Sequence, residues 1–78
     1  MLVAREMLVV VRETLDALPV AQREAFVLLR FEGLSVADAS QVLGTTESSV
    51  KIRAFRAYEA LRAAIEESRR IKGDRDAR

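Results

Sequence analysis

Pro19, Gly33 and Gly44 cut this chain into runs that suit helices. Proline lacks an N–H and locks φ, so Pro19 stops one helix and suits the first turn of the next. Glycine tolerates positive φ, so Gly33 and Gly44 end helices at little cost. Between these breaks the apolar residues recur at spacings of three and four. No alternating strand pattern, internal repeat or interdomain linker is present. The expectation is an all-α fold: a four-helix domain over residues 1–68, without winged elements, followed by a charged tail over 69–78.

Residues 4–18 suit the first helix, with Leu8, Val11, Leu15 and Leu18 on one stripe. Val9 and Val10 widen its apolar surface. They give either a fuller core contact or a face that a partner covers. Residues 20–32 suit the second helix, with Ala25, Phe26, Leu28 and Leu29 inward and Gly33 ending it. Phe26 and Phe31 read as core or near-core residues, not as platforms for stacked bases. Ser35 caps the third helix, and Asp38 can complete a capping box. Val36, Ala39, Ser40, Val42 and Leu43 mark its inner side, and Gly44 ends it. Thr46 caps the fourth, with Ser49 three residues on. Val50, Ala54, Ala57 and Leu61 give that helix one apolar face. It is expected to run to about Ser68. The remainder, RRIKGDRDAR, is charged, contains Gly73 and is expected to fray or be disordered.

Seventy-eight residues, half of them hydrophobic, build one small domain with a thin core. The chain has no cysteine and no histidine, which removes thiol chemistry, disulfides and the commonest metal ligand. A reducing, cytoplasmic setting is compatible with that. No constellation supports an enzyme, so no catalytic residue, metal ligand or cofactor is assigned. Glu66–Glu67 and the Asp74/Asp76 pair are explained as solvated charge, and the glycines do not form a phosphate-cradling loop. The apolar opening is interrupted by Arg5, Glu6, Arg12 and Glu13, so no membrane span is expected there.

Net charge is only +1, but it is unevenly placed. Over residues 45–64 Lys51, Arg53, Arg56 and Arg62 outnumber Glu47 and Glu59, whereas the segments before are slightly acidic. A short helix, a glycine turn and a longer helix with a basic stripe form the pattern of a helix-turn-helix, which offers its second helix to the major groove. The same spacing also occurs in ordinary helical bundles. A small basic footprint predicts weak, salt-sensitive DNA binding in isolation. Thr46, Ser48 and Ser49 are small and polar at the helix start, where amides attract phosphate. Lys51 can donate to guanine or phosphate, and Glu47 can accept from cytosine or simply favour the helix dipole. Arg53 can contact DNA or pair on the flank.

The segment from Leu15 to about Glu66 resembles region four of bacterial sigma factors, especially the extracytoplasmic-function group. The resemblance rests on Leu18–Pro19, Arg23–Glu24, Glu32–Gly33, Leu34–Ser35, Leu43–Gly44, Val50–Lys51, Arg53, Arg56–Ala57 and Leu61–Arg62 taken together. It implies recognition of a promoter −35 element by the last helix, with Glu47, Ser48, Ser49, Lys51, Ile52 and Phe55 near its reading end. By position, Lys51 matches a basic residue near bases and phosphates, and Phe55 and Arg56 match a site at the DNA backbone. The implied partners are double-stranded promoter DNA and the core of RNA polymerase, through the flap of its β subunit. An anti-sigma factor could cover the same surfaces. The chain departs from the family pattern at Val36–Ala37, at Ala39–Ser40 and across Thr45, Thr46 and Ser48.

Two other functional readings remain open at this point. One is a sigma-like interaction module that binds an anti-sigma factor or the polymerase without DNA. The other is a response-regulator output domain of the LuxR type, which shares the Gly-Leu-Ser start and the Ser-Val-Lys step. A purely structural bundle is a fourth possibility.

Overall fold

A computed structural model describes the backbone of residues 3–76 and the side chains of residues 3–70. Four helices follow one another: α1 (Ala4–Ala17), α2 (Val20–Arg30), α3 (Val36–Leu43) and α4 (Glu47–Asp76). No strand occurs among the described residues. The all-α, four-helix expectation therefore holds, and each break falls at its proline or glycine.

The breaks follow from local chemistry. Pro19 precedes the first turn of α2 with φ −53°, where its missing N–H has no intrahelical partner to lose. Gly33 takes φ 71° after α2, and Gly44 takes φ 65° after α3. At the end of α3 the Thr45 N–H donates to the Ser40 carbonyl at 3.0 Å, and the Gly44 N–H to that of Gln41 at 3.3 Å. These two bonds satisfy carbonyls that a helix end would leave without partners. The Ser35 hydroxyl accepts the Asp38 N–H at 3.0 Å, as its capping role requires.

Helix α4 is the spine against which the others pack. Its inner face carries Val50, Ala57 and Leu61, all buried, with Ala54 half-buried between them. Val50, Ala25 and Ala39 form one core cluster, with Leu28, Leu29, Leu34, Val36, Leu43 and Ala54 packed around it. Phe26, Ala57 and Leu61 form a second, closed by Val11, Leu15 and Leu18. The first cluster unites α2, α3 and the start of α4; the second seats α1. Small residues dominate the crossings, and small side chains let helix axes approach closely. Ser40 belongs to this set: it is buried, and its hydroxyl donates to the Ala37 carbonyl at 2.7 Å.

Several expected core positions are exposed. Val42 is 65% exposed, at the edge of an open groove beside Arg23, Val27 and Leu28 of α2. Leu8 is 69% exposed: α1 meets its neighbours through Val11, Leu15 and Leu18, one turn or more further along. Val9 is also exposed and Val10 is half-buried, and neither is packed against a core cluster. Phe31 stands edge-on to Phe26, with ring centroids 6.0 Å apart at 84°, yet most of its own surface is open. It therefore borders the core from the C-terminal end of α2.

Helix α4 also continues past the expected end near Ser68 to Asp76, through Gly73. Extending an existing helix adds one hydrogen bond per residue fixed, and a glycine within it costs only about 1 kcal/mol relative to alanine. The Glu67–Arg70 pair lies along this extension. Of the tail expected to fray over 69–78, residues 77 and 78 lie outside the described residues.

Candidate nucleic-acid interface

The α3–turn–α4 unit positions every residue singled out for binding. Thr46 is held first. Its Oγ1 accepts the Ser49 N–H at 3.0 Å and lies 3.0 Å from the Ser49 hydroxyl. Thr46 and Ser49 are thus engaged in starting the helix. The Val50 N–H donates to the Thr46 carbonyl at 3.1 Å, the first turn of the ladder. Burial of Val50 then fixes the rotation of α4, so the exposed arc follows from it.

Counting about 100° per residue, Lys51 and Arg56 fall ~140° apart around α4. Ser48, Ile52 and Phe55 lie in the arc between them. All five are exposed, Ile52 by 52% and Phe55 by 61%. Glu47 is exposed at the helix start on the Lys51 side. Arg53 stands apart: it is half-buried and flanks the packed face beside Val50. The structure therefore brings together Ser48, Lys51, Ile52, Phe55 and Arg56, leaves Glu47 at one margin, uses Thr46 and Ser49 as the cap, and sets Arg53 on the opposite flank.

The cations differ in availability. Lys51, Arg53 and Arg56 make no ion pair among the described residues. Arg62 lies between Glu59 at 3.7 Å and Glu66 at 3.4 Å. Its hydrogen bond and charge attraction to Glu66, followed by attraction to Glu59, raise its pKa above the ordinary arginine value. Exposed pairs of this kind add little stability, but they occupy Arg62. Of the four cations singled out on α4, the three without an ion pair therefore lie in its first three turns.

Sequence reasoning missed the second wall of this surface. A shallow groove of ≈ 570 Å³ runs beside Lys51, Phe55 and Tyr58, and its far side is made by Arg30, Leu34 and Ser35. Tyr58 continues the Lys51–Phe55 row at helical spacing and is 46% exposed, a signal that was legible. Arg30 reaches the same groove only because α2 and α4 pack together, which no local pattern encodes. A second apolar groove lies between α1 and α2, lined by Leu8, Val11, Leu15, Val27 and Phe31 among others. Among the described residues there is no cluster of potential metal ligands, and no helix is long and apolar enough to cross a membrane.

Residues 8–61 match the family model described as sigma-70, region 4. The chain is 42% identical over 56 residues to the ECF RNA polymerase sigma factor SigM of Mycobacterium tuberculosis, covering 72% of this chain and 29% of that protein. It is 37% identical over 71 residues to the RNA polymerase sigma factor SigZ of Bacillus subtilis, covering 91% of this chain and 40% of that protein. The chain thus spans well under half the length of the curated relatives it matches. The matched segment contains α3, the turn and the first half of α4, which carries Lys51, Arg53 and Arg56. These matches favour the sigma resemblance over the response-regulator one, and the chain belongs to the sigma-70 region 4 family, on its extracytoplasmic-function side.

Proposed function

We propose that this domain recognises the −35 element of a promoter, acting in transcription initiation as the DNA-binding part of an alternative sigma factor. Helix α4 enters the major groove by its N-terminal turns. The observation that carries this is the arrangement of unpaired Lys51 and Arg56 on either border of an exposed arc that begins at the helix start. Charges at those borders suit the phosphates of the two strands that line a groove, while the arc between them faces the base edges. Ser48 is small enough to admit the backbone, and Glu47 suits a cytosine amino group. Arg53 on the flank and the first-turn amides that the Thr46 cap leaves free supply further phosphate contact. The role is binding, without catalysis.

Phosphate contact by so few cations gives modest affinity. A second attachment therefore fits the design, and the core of RNA polymerase, through its β flap, is the proposed holder. The apolar groove between α1 and α2 is the surface suited to it. Linking two weak contacts raises overall affinity without any new contact to DNA.

The test is selection of duplex DNA at low salt with this domain tethered to core polymerase, comparing the unaltered chain with Lys51→Ala and Arg56→Ala. A defined motif that is lost in the Lys51 variant establishes base readout by α4. Uniform weakening on all sequences reduces both residues to phosphate anchors. A second reading is favoured by the exposure of Ile52, Phe55 and Tyr58 along α4: a module that binds an anti-sigma factor or the polymerase and not DNA. Polymerase binding with no enriched sequence would select that reading.

A further inference from the structure

Ile52 is an odd residue for a surface that meets DNA. It is 52% exposed, and it sits within the arc bordered by Lys51 and Arg56, toward the Arg56 side. At about 100° per residue it lies ~100° from Lys51 and ~40° from Arg56, with Ser48 one turn before it and Phe55 three residues after. Ser48 leaves room on the N-terminal side, so the Ile52 side chain stands clear of its own helix. No cluster of the core includes it.

An aliphatic side chain has no donor or acceptor. Pressed against the major-groove edge of guanine, adenine or cytosine, it covers a polar group and returns nothing, which disfavours those bases. Thymine alone presents a methyl group there, at C5. From this placement we infer that Ile52 is a specificity-determining residue that selects thymine by contact with its 5-methyl group. The inference rests on the reading of α4 as a major-groove helix and adds the chemistry of one base to it. The arc from Ser48 to Phe55 spans ~10 Å of helix axis at 1.5 Å per residue, about three base steps at 3.4 Å. The methyl contact is thus one position within a short site, flanked by positions facing Ser48 and Lys51.

The experiment uses the motif selected by the tethered domain, resynthesised with each thymine in turn replaced by deoxyuridine, which lacks only the methyl group. Burying one methyl predicts that a single replacement weakens binding about four-fold. In Ile52→Ser the same replacement is expected to leave binding unchanged, while cytosine at that position, carried as 5-methylcytosine, regains part of the affinity for the unaltered chain. A motif in which no thymine is methyl-sensitive overturns the inference and leaves the DNA reading standing. Methyl sensitivity that persists in Ile52→Ser and disappears in Phe55→Ser overturns it by assigning the contact to the neighbouring side chain. Failure to enrich any sequence overturns both.

Discussion

The Thr46 hydroxyl oxygen accepts the Ser49 backbone N–H at 3.0 Å, closing the first turn of α4 with one side chain. Replacing Thr46 by alanine removes this acceptor and leaves an N–H at the helix start without its partner. Caps of this type are worth about 1 kcal/mol. For a domain of this size that is a melting-temperature decrease of about 4–8 °C. Thermal unfolding followed by circular dichroism should show it, with Thr46→Ser recovering most of the loss. An unchanged melting temperature in Thr46→Ala would mean that packing of Val50 alone starts the helix.

Gly44 offers a separate test of the turn. Its φ of 65° is accessible to L-residues only with strain, yet an added Cβ would meet no atom within 4 Å. Gly44→Ala should therefore cost about 1–2 kcal/mol through backbone conformation alone. Asparagine, which visits this region more readily, should cost less. Urea denaturation that ranks glycine above asparagine above alanine would support the assignment. Equal stability of alanine and glycine would contradict it.

Val50 and Val42 give the sharpest contrast within one residue type. Val50 is fully buried between α2, α3 and α4, whereas Val42 is 65% exposed. Truncating Val50 to alanine removes two buried methyl groups, at about 0.8 kcal/mol each, and adds a cavity term. A loss of about 2 kcal/mol is expected from denaturant midpoints at constant slope. Val42→Ala should stay within about 0.5 kcal/mol of the unaltered protein.

The cations on α4 should separate by their partners. Lys51→Ala and Arg56→Ala are each expected to lower the slope of log affinity against log salt by about one, since each removes one phosphate neutralisation. Arg62→Ala should leave the slope unchanged, because Glu59 and Glu66 already hold that guanidinium away from the free face. A salt titration of duplex binding by the tethered domain reads all three. An equal drop for Arg62 would place the DNA further along α4 than the exposed arc implies.

Everything decided within about five residues was open to reading in the sequence. The Pro19 step, the Ser35 and Thr46 caps and the Gly44 turn all depend on local backbone chemistry, and each is where it was expected. The inward face of α4 was legible for the same reason, since Val50, Ala54, Ala57 and Leu61 repeat at helical spacing. Among the candidate binding residues, exposure of Ser48, Lys51, Ile52, Phe55 and Arg56 follows directly from placing that face inward.

What periodicity does not contain is the extent of the neighbours. It says that Leu8 and Val11 share a stripe, or that Val42 and Leu43 are both apolar, but not how far a crossing helix reaches. Leu8 and Val42 lie past the edge of their neighbours and stay in solvent. Phe31 touches Phe26 yet remains open because α2 ends beside it. Arg53 was open between a DNA contact and a place on the flank, and it stands half-buried beside the packed face. The groove that joins Arg30 to Lys51, Phe55 and Tyr58 exists only once α2 lies across α4. The chain by itself thus determined its four helices, their caps and the sign of charge on the last one. Tertiary packing decided which apolar side chains are covered and which cations share a face, because burial depends on where separate helices cross.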